Sequence, residues 1–215
     1  MEALWLSLQV AGAATLVSAT LGVLLGALLS SKRVPGRDLL DVLFTLPMVL
    51  PPTVLGYYLL IAVGRRSALG GLWERVTGSP LVFTLAGAVL AATVGSLPIV
   101  IKSARAAIES VDPIYADAAA TLGATPLRAL FSVRLPLAGR GILAGVMLAF
   151  ARALGDFGVT LMVAGDIPGQ TRTASLAIYD LIQAGQEHEA LGLIAVLSGV
   201  AVVTLWLVNR LVRNP

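Results

Sequence analysis

The chain has 215 residues, of which 57% are hydrophobic and 13% charged, and its formal net charge is +3. Soluble proteins carry about 25% charged residues, and a chain of this length hides only about 70–75% of its surface, so the composition excludes a soluble domain. The absence of cysteine excludes disulfides and thiolate metal sites, and no Gly-rich loop ending in Lys-Ser or Lys-Thr is present to bind ATP. We therefore expect an all-α membrane protein that crosses the bilayer several times.

Five apolar segments are long enough to be membrane spans, because about 20 apolar residues cross about 30 Å of hydrocarbon as a helix. They cover residues 4–29, 39–63, 81–101, 142–164 and 190–208. The first segment is preceded by Glu2 and no basic residue, which favours a retained span over a cleaved signal peptide. A shorter apolar run at 174–184 predicts an interfacial or re-entrant helix. We expect residues 1–215 to form a single transmembrane domain.

The second segment contains a proline pair, Pro51 and Pro52. Because proline has no backbone N–H, two adjacent prolines must interrupt the hydrogen-bond ladder of this span. One interpretation of the pair is a tolerated kink. The other is a bend that lines a translocation pathway or moves during gating.

Residues 102–141 separate the third and fourth spans, and we expect them to form a cytoplasmic loop with helices of its own. The third span should continue as a helix to about residue 111, which places Arg105 and Glu109 four residues apart on one helix face. The loop therefore begins as an extension of a membrane span.

Two short helices are expected to follow in this loop. Asp112 and Pro113 provide an N-cap and a first helical position for the first helix. That helix should end at Gly123, because glycine readily adopts the left-handed conformation of a C-cap. The second helix, at about 127–133, has a similar Thr-Pro start and should end at a Leu-Pro pair. Two helices joined at a glycine would form a compact knob.

Part of this loop resembles the EAA loop of ABC importer permeases, whose pattern is Glu-Ala-Ala, three residues, Gly, nine residues, then Ile-x-Leu-Pro. Ala118, Ala119 and Gly123 match this pattern in register, and Asp117 stands in the position of the Glu. After nine further residues, Val-Arg-Leu-Pro at 133–136 completes the pattern with Val in place of Ile.

The resemblance implies a type I ABC importer permease fold, in which this loop is a coupling helix that docks into a cleft on a separate ATPase subunit. From the pattern alone, an ordinary amphipathic interfacial loop is an equally good interpretation. The residues that the resemblance assigns to ATPase coupling are Asp117, Ala118, Ala119, Gly123, Ala124, Thr125, Pro126 and Arg128.

The fourth span carries two charged residues, Arg152 and Asp156. A charge near the middle of a span costs roughly 2.5–3.5 kcal/mol even on insertion scales. Their spacing of four residues places both on one helix face, where they partly neutralise each other. They are either a structural pair that holds this span against its neighbours, or part of a face that lines the translocation path or a two-fold interface.

Three stretches resemble the molybdate and sulfate permeases. They are Arg-Ala-Leu-Gly-Asp-Phe-Gly-Val-Thr at 152–160, Ile-Pro-Gly-Gln-Thr at 167–171 and Leu-Pro-Met-Val-Leu-Pro-Pro-Thr-Val at 46–54. Asp156 replaces the Glu that is usual in that family, and Val159 replaces an Ala. The resemblance implies an oxyanion permease, and the short chain favours molybdate or tungstate over sulfate.

Under the pathway interpretation, Arg152 offers a transient positive site to a passing oxyanion, and Asp156 keeps that site weak so that the anion leaves inward. The proline pair would bend the second span along the same path. The residues assigned to the path or its gate are Pro51, Pro52, Arg152, Asp156 and Thr160.

Basic residues are distributed unequally between the two sides of the predicted spans. Ten follow the first, third and fifth spans: Lys32, Arg33, Arg37, Lys102, Arg105, Arg128, Arg134, Arg140, Arg210 and Arg213. Four follow the second and fourth: Arg65, Arg66, Arg75 and Arg172. Because loops rich in Lys and Arg stay in the cytoplasm, we expect the N-terminus outside and the C-terminus inside a prokaryotic plasma membrane.

The resemblance also implies an assembly. We expect a homodimer of permease chains with one path on the two-fold axis, two copies of an ATPase subunit and an extracytoplasmic oxyanion-binding protein, all in or on a lipid bilayer. ATP and Mg would bind the ATPase, whereas this chain would bind no cofactor and no nucleic acid and would catalyse no reaction.

Other function classes predict different features. A gradient-driven secondary transporter should show inverted repeats or broken midplane helices with acidic coupling residues, whereas the sequence has no internal repeat and only Asp156 as a midplane acid. A membrane-embedded enzyme is the third possibility, and no Ser/His, His/Glu or paired-acid arrangement supports it. Within the ABC class, a sulfate or thiosulfate permease is the alternative to a molybdate permease.

Overall fold

The computed structural model describes residues 2–31 and 34–213, and all regular structure in those ranges is helical. The helices are α1 (Glu2–Ser30), α2 (Arg37–Val49), α3 (Pro52–Val63), α4 (Ala68–Thr77), α5 (Leu85–Glu109), α6 (Pro113–Thr121), α7 (Pro126–Ala129), α8 (Leu135–Leu154), α9 (Gly158–Ala164), α10 (Ala174–Gln183) and α11 (Glu187–Arg213). A π-helical turn, Leu130–Arg134, lies between α7 and α8. The expected all-α class is confirmed.

Among the described residues, four continuous helices are long and apolar enough to cross a membrane. They are α1, α5, α11 and the run Pro126–Leu154, which contains α7, the π-helical turn and α8. A fifth span exists only if α2 and α3 are counted together, and these two helices are bent by 113°. The prediction of about five spans is therefore confirmed, but the proline pair produces a sharp corner rather than a kink in one rod.

α5 lies at the centre of the fold and packs closely against α1. A Cβ added at Gly22 would lie 2.7 Å from the Cβ of Val100, and one added at Gly26 would lie 2.8 Å from the Cβ of Ala104. Small residues permit this approach, which is the usual way that helices pack within lipid. The expected extension of the third span is confirmed, because α5 continues to Glu109.

The passes connect two ends of the molecule. At one end, the backbone N–H that begins α10, on Ala174, donates to Ser7 Oγ of α1 at 2.7 Å. At the other end, Ala27 of α1, Ile108 of α5 and Ala138 of α8 pack in one cluster. We call the second end the α6 end, because α6 follows α5 there. With five passes, the start of α1 and the end of α11 lie at opposite ends.

The predicted fourth span, 142–164, is wrong. The helix stops at Leu154, and α9 begins only at Gly158 after an irregular stretch. Glycine and aspartate are poor helix formers, and the aspartate here binds the backbone of α9 instead of continuing the helix of α8. Counting apolar residues alone overlooked this break, and the span instead begins earlier, at Pro126.

The predicted end of the second short loop helix is also wrong, because the helix continues through Pro136 into α8. The Leu135 N–H donates to the Leu130 carbonyl, five residues back, as in a π-helical turn. Pro136 sits in the first turn of α8, directly after this wider turn. A local π-helical turn adjusts the hydrogen-bond ladder next to a residue that lacks a donor, so the proline does not end the helix.

Candidate functional site

The start of α6 is fixed by the residues that the sequence predicted. The carboxylate of Asp112 accepts a hydrogen bond from the Ile114 N–H at 2.9 Å, and Pro113 occupies the first helical position. Both features satisfy or remove backbone donors that a helix start leaves without partners. The predicted N-cap is confirmed.

The end of α6 is a left-handed glycine cap. Gly123 has φ +83°, and its N–H donates to the Ala120 carbonyl at 2.9 Å. The Ala124 N–H donates to the Ala119 carbonyl at 3.0 Å. These two bonds form a Schellman motif, which closes a helix end without help from other elements. The predicted C-cap is confirmed, so α6 is held at both ends by local hydrogen bonds.

α6 buries no side chain, although much of its neighbourhood is apolar. Leu122 is 89% exposed, Leu127 66% and Ile114 64%. A rigid, exposed apolar surface of this kind is typical of a protein contact. The residues assigned to coupling lie on or next to it: Asp117, Ala118, Gly123, Thr125, Pro126 and Arg128 are exposed, and Ala119 and Ala124 are half-buried.

An apolar groove separates α6 from the body of the molecule. It has a volume of about 670 Å³. Its walls come from the end of α1, from α6, and from α7 with the π-helical turn, and its lining includes Leu28, Ala116 and Leu130. The Arg134 guanidinium donates to the Ile108 carbonyl at 3.0 Å and ties the π-helical turn to the end of α5. This groove could not be predicted from the sequence, because its walls come from three separate segments.

The break between α8 and α9 brings together three of the residues assigned to the path. Asp156 is buried, with an exposed fraction of 3%. One carboxylate oxygen accepts a hydrogen bond from Arg152 Nη1 at 2.9 Å. The other accepts from the Thr160 N–H at 3.0 Å and from the Thr160 hydroxyl at 2.7 Å. The predicted Arg152–Asp156 contact is confirmed.

The predicted basis for that contact, one continuous helix face, is wrong. Arg152 belongs to the last turn of α8, whereas Asp156 lies beyond its end and caps the first turn of α9. Asp156 therefore joins two helices, which is a structural task in itself. The Arg152 side chain remains 37% exposed, so the two members of the pair face different surroundings.

This ion pair lies about halfway along the bundle. A Cβ added at Gly95 of α5 would lie 3.6 Å from Arg152 Nη2. At 1.5 Å per residue, Gly95 is about 15 Å from the start of α5 at Leu85. A helix break at this depth was one of the features expected of a secondary transporter, so the break alone does not distinguish the two transport classes.

The proline corner lies directly against this break. α3 begins at Pro52, and a Cβ added at Gly158 of α9 would lie 2.9 Å from the Pro52 Cβ. One turn further along each helix, a Cβ added at Gly56 would lie 2.7 Å from the Met162 Cβ. All five residues assigned to the path therefore occupy one region. Within the described ranges, no group of three acidic or histidine side chains is suited to a metal ion.

The loop between α9 and α10, at the end opposite α6, is closed by an arginine between two aspartates. Arg172 Nε lies 2.8 Å from an Asp166 oxygen, and its Nη2 lies 2.6 Å from an oxygen of Asp180. The hydrogen bond with Asp166, together with partial burial, raises the pKa of Asp180 above its ordinary value. This cluster was not predicted, because nothing in the spacing of these residues indicates that the loop and α10 meet.

The chain is similar to known proteins both in sequence and in fold. A family model described as "Binding-protein-dependent transport system inner membrane component" matches residues 18–214. The chain is also 42% identical to the molybdenum transport system permease protein ModB of Escherichia coli K12, over 99% of this chain and 93% of that protein.

Two solved structures have a similar fold. The methionine ABC transporter MetNI, solved in inward-facing conformations, matches with a TM-score of 0.72 at 17% identity, over 97% of this chain and 94% of that one. A bacterial alginate ABC transporter in complex with an alginate-bound periplasmic protein matches with a TM-score of 0.70 at 16% identity, over 99% and 77%. At these identities the likeness shows the fold alone, and the expected ABC importer permease fold is confirmed.

Proposed function

Because this chain belongs to the family of binding-protein-dependent transport system inner membrane components, we propose that it is the permease of an ATP-driven importer for molybdate or tungstate. The observation that carries the oxyanion assignment is its 42% identity, across nearly its whole length, with a molybdenum transport permease. Sulfate or thiosulfate is the second candidate. Membership of this family favours an ABC permease over a gradient-driven carrier, although α8 and α9 are separated by a break.

In this proposal α6 is the surface that an ATPase subunit binds. Support comes from its local caps, which fix its shape, and from its exposure, because no residue of α6 is fully buried and its apolar neighbours can contact a partner. Two ATPase copies would bind two copies of the permease, and ATP and Mg would be held by the ATPase. This chain would itself bind no cofactor and break no covalent bond.

The path would run past the region where the proline corner meets the α8–α9 break. Arg152 is partly exposed there, so its guanidinium can attract an oxyanion, and the bond to the buried Asp156 limits how strongly it does so. A weak site suits a permease, because a tight one would retain its cargo. Selectivity would then reside mainly in an extracytoplasmic binding protein.

The orientation follows from the basic residues. Those described at the α6 end include Arg37, Lys102 and Arg128, and positively charged loops favour the cytoplasm. We place the α6 end inside and the N-terminus outside. Reporter fusions at residues 37, 78, 125 and 170 and at the C-terminus should then report inside, outside, inside, outside and inside. A cytoplasmic signal at Gln170 would contradict this orientation.

The decisive experiment is reconstitution of the permease with its ATPase and binding protein in proteoliposomes. Molybdate or tungstate should stimulate ATP hydrolysis and enter the vesicles, with sulfate weaker. Preferential uptake of sulfate would reassign the cargo. Uptake that continues unchanged without the binding protein would contradict the proposed importer.

A further inference from the structure

α2 is held in an unusual way for a helix of a membrane protein. None of its 13 residues is buried, so apolar packing contributes little to its position. Its Asp41 side chain is nevertheless only 16% exposed, and it lies between two basic side chains of α5. Asp41 Oδ2 contacts Lys102 Nζ at 2.5 Å, and Oδ1 lies 3.3 Å from Arg105 Nη1.

Arg105 is shared between two acidic partners. Its Nε donates to Glu109 Oε1 at 3.0 Å, one turn further along α5. The Arg105 contact with Asp41 is an ion pair without a hydrogen bond, because Asp41 Oδ1 has no hydrogen-bond partner in the described parts of the chain. Arg105 therefore contacts its own helix through a hydrogen bond and α2 through an ion pair at 3.3 Å.

The position of this network matters because it lies between the two candidate functional regions. Glu109 is the last residue of α5, and α6 begins at Pro113. In the other direction, α2 leads through Leu50 to the corner at Pro51, where α3 meets α9. A displacement of α6 would move the end of α5, and Asp41 is the charged side chain that connects that end to α2.

We propose that Asp41 is a positioning residue that transmits movement of α6, through the end of α5, to α2 and the proline corner. This inference rests on the proposed function only in that α6 binds the ATPase. Loss of the Arg105 contact, with Lys102 still bound, would give α2 a second position relative to α5. Exchange of ion pairs at an interface is a known way to make two packed arrangements of similar free energy.

The test uses the full complex, with Asp41→Asn as the variant and Asp38→Asn as its matched control. Asp38 lies one turn earlier on α2, its side chain is 89% exposed, and it forms an ion pair with the neighbouring Arg37 at 3.6 Å. In Asp41→Asn, ATP hydrolysis should stay within about twofold of wild type while uptake per ATP falls about tenfold, since removal of one coupling contact changes coupling free energy rather than nucleotide chemistry. Asp38→Asn should match wild type in both measurements.

A pair of substitutions that exchanges the two charges provides a second test if Asp41→Asn folds poorly. Asp41→Lys combined with Lys102→Asp restores an attractive contact between α2 and α5, and it should recover at least half of the uptake per ATP. Failure of the exchanged pair alongside a normally assembled complex would overturn the role of this contact. Loss of the assembled complex in Asp41→Asn, with no change in uptake per ATP in what remains, would leave Asp41 a purely structural residue and also overturn it.

A distance measurement between spin labels tests the role of Asp41 independently of which anion the complex transports. The chain has no cysteine, so spin labels can be attached at Leu39→Cys in α2 and Val202→Cys in α11, both highly exposed. ATP binding should change the distance between the labels in wild type but not in Asp41→Asn. An equal change in both would overturn the inference, whatever anion the complex carries.

Discussion

Asp112 and Asp156 perform the same local task in opposite surroundings. Each accepts a hydrogen bond from a backbone N–H at the start of a short helix, at 2.9 Å for Asp112 and 3.0 Å for Asp156. Asp112 is exposed at the tip of the α6 region, whereas Asp156 is buried and also binds Arg152 and the Thr160 hydroxyl. A cap in solvent therefore stabilises one helix, whereas a buried cap holds two helices together.

The largest effect is expected from Asp156→Ala. The substitution leaves the Thr160 N–H and hydroxyl without their buried acceptor and removes the partner of Arg152, at a cost of about 2–4 kcal/mol. Thermal unfolding of the detergent-purified protein should show a clearly lower Tm and a smaller yield of assembled complex. Asp156→Asn keeps an acceptor oxygen and should lose less. Unchanged melting of the alanine variant would show that the buried cap is not the stronger of the two.

Arg152→Gln is expected to abolish uptake while the complex still assembles. Glutamine can still donate a hydrogen bond to Asp156, but it offers no positive charge to an oxyanion. Uptake by proteoliposomes and co-purification with the ATPase measure the two consequences separately, and Asp156→Asn should slow release by leaving Arg152 less neutralised. Normal uptake by Arg152→Gln would end the pathway role, whereas loss of the complex in both variants would favour a structural pair.

Gly123→Val should reduce uptake and stimulated ATP hydrolysis together, without loss of the inserted protein. A β-branched side chain at φ +83° strains the backbone by on the order of 1 kcal/mol or more. Gly139→Val is the matched control, because a Cβ is unobstructed at both glycines and only Gly123 has a positive φ. Transport at the wild-type rate by Gly123→Val would contradict the coupling role of α6.

The smallest effect is expected from Asp112→Ala. Loss of an exposed N-cap costs about 1 kcal/mol locally, and α6 buries no side chain that would pass this cost to the rest of the fold. Hydrogen exchange should therefore accelerate in α6 while the Tm of the protein is unchanged. A fall in Tm comparable to that of Asp156→Ala would remove the distinction between the two caps.

The features that the sequence predicted well depend on chemistry within a few residues. Asp112, Pro113 and Gly123 specify the start and end of α6 whatever surrounds it, and the structure shows them in those positions. The apolar runs likewise identified the spans of α1 and α5, because lipid requires length and low charge and little else.

The features that could not be predicted from the sequence depend on contacts between distant segments. Both the proximity of Pro52 to Gly158 and the contact of Asp41 with Lys102 require the packing angle of helices far apart in the chain. The end of α8 was not predicted for another reason. The Gly-Asp-Phe-Gly stretch disfavours a helix locally, but the apolar run that contains it is long enough to predict a continuous span. Weighing helix propensity within each run would have found that break.

The close packing of α1 against α5 restricts how the molecule can change shape. Gly22 and Gly26 leave no space for sliding, and the hydroxyls of Ser18 and Ser96 are joined at 3.0 Å between the two helices. These two helices should therefore move as one rigid body. Any alternation between open states must then use hinges elsewhere, and the backbone offers them at 50–51 and 155–157, where consecutive helices are interrupted.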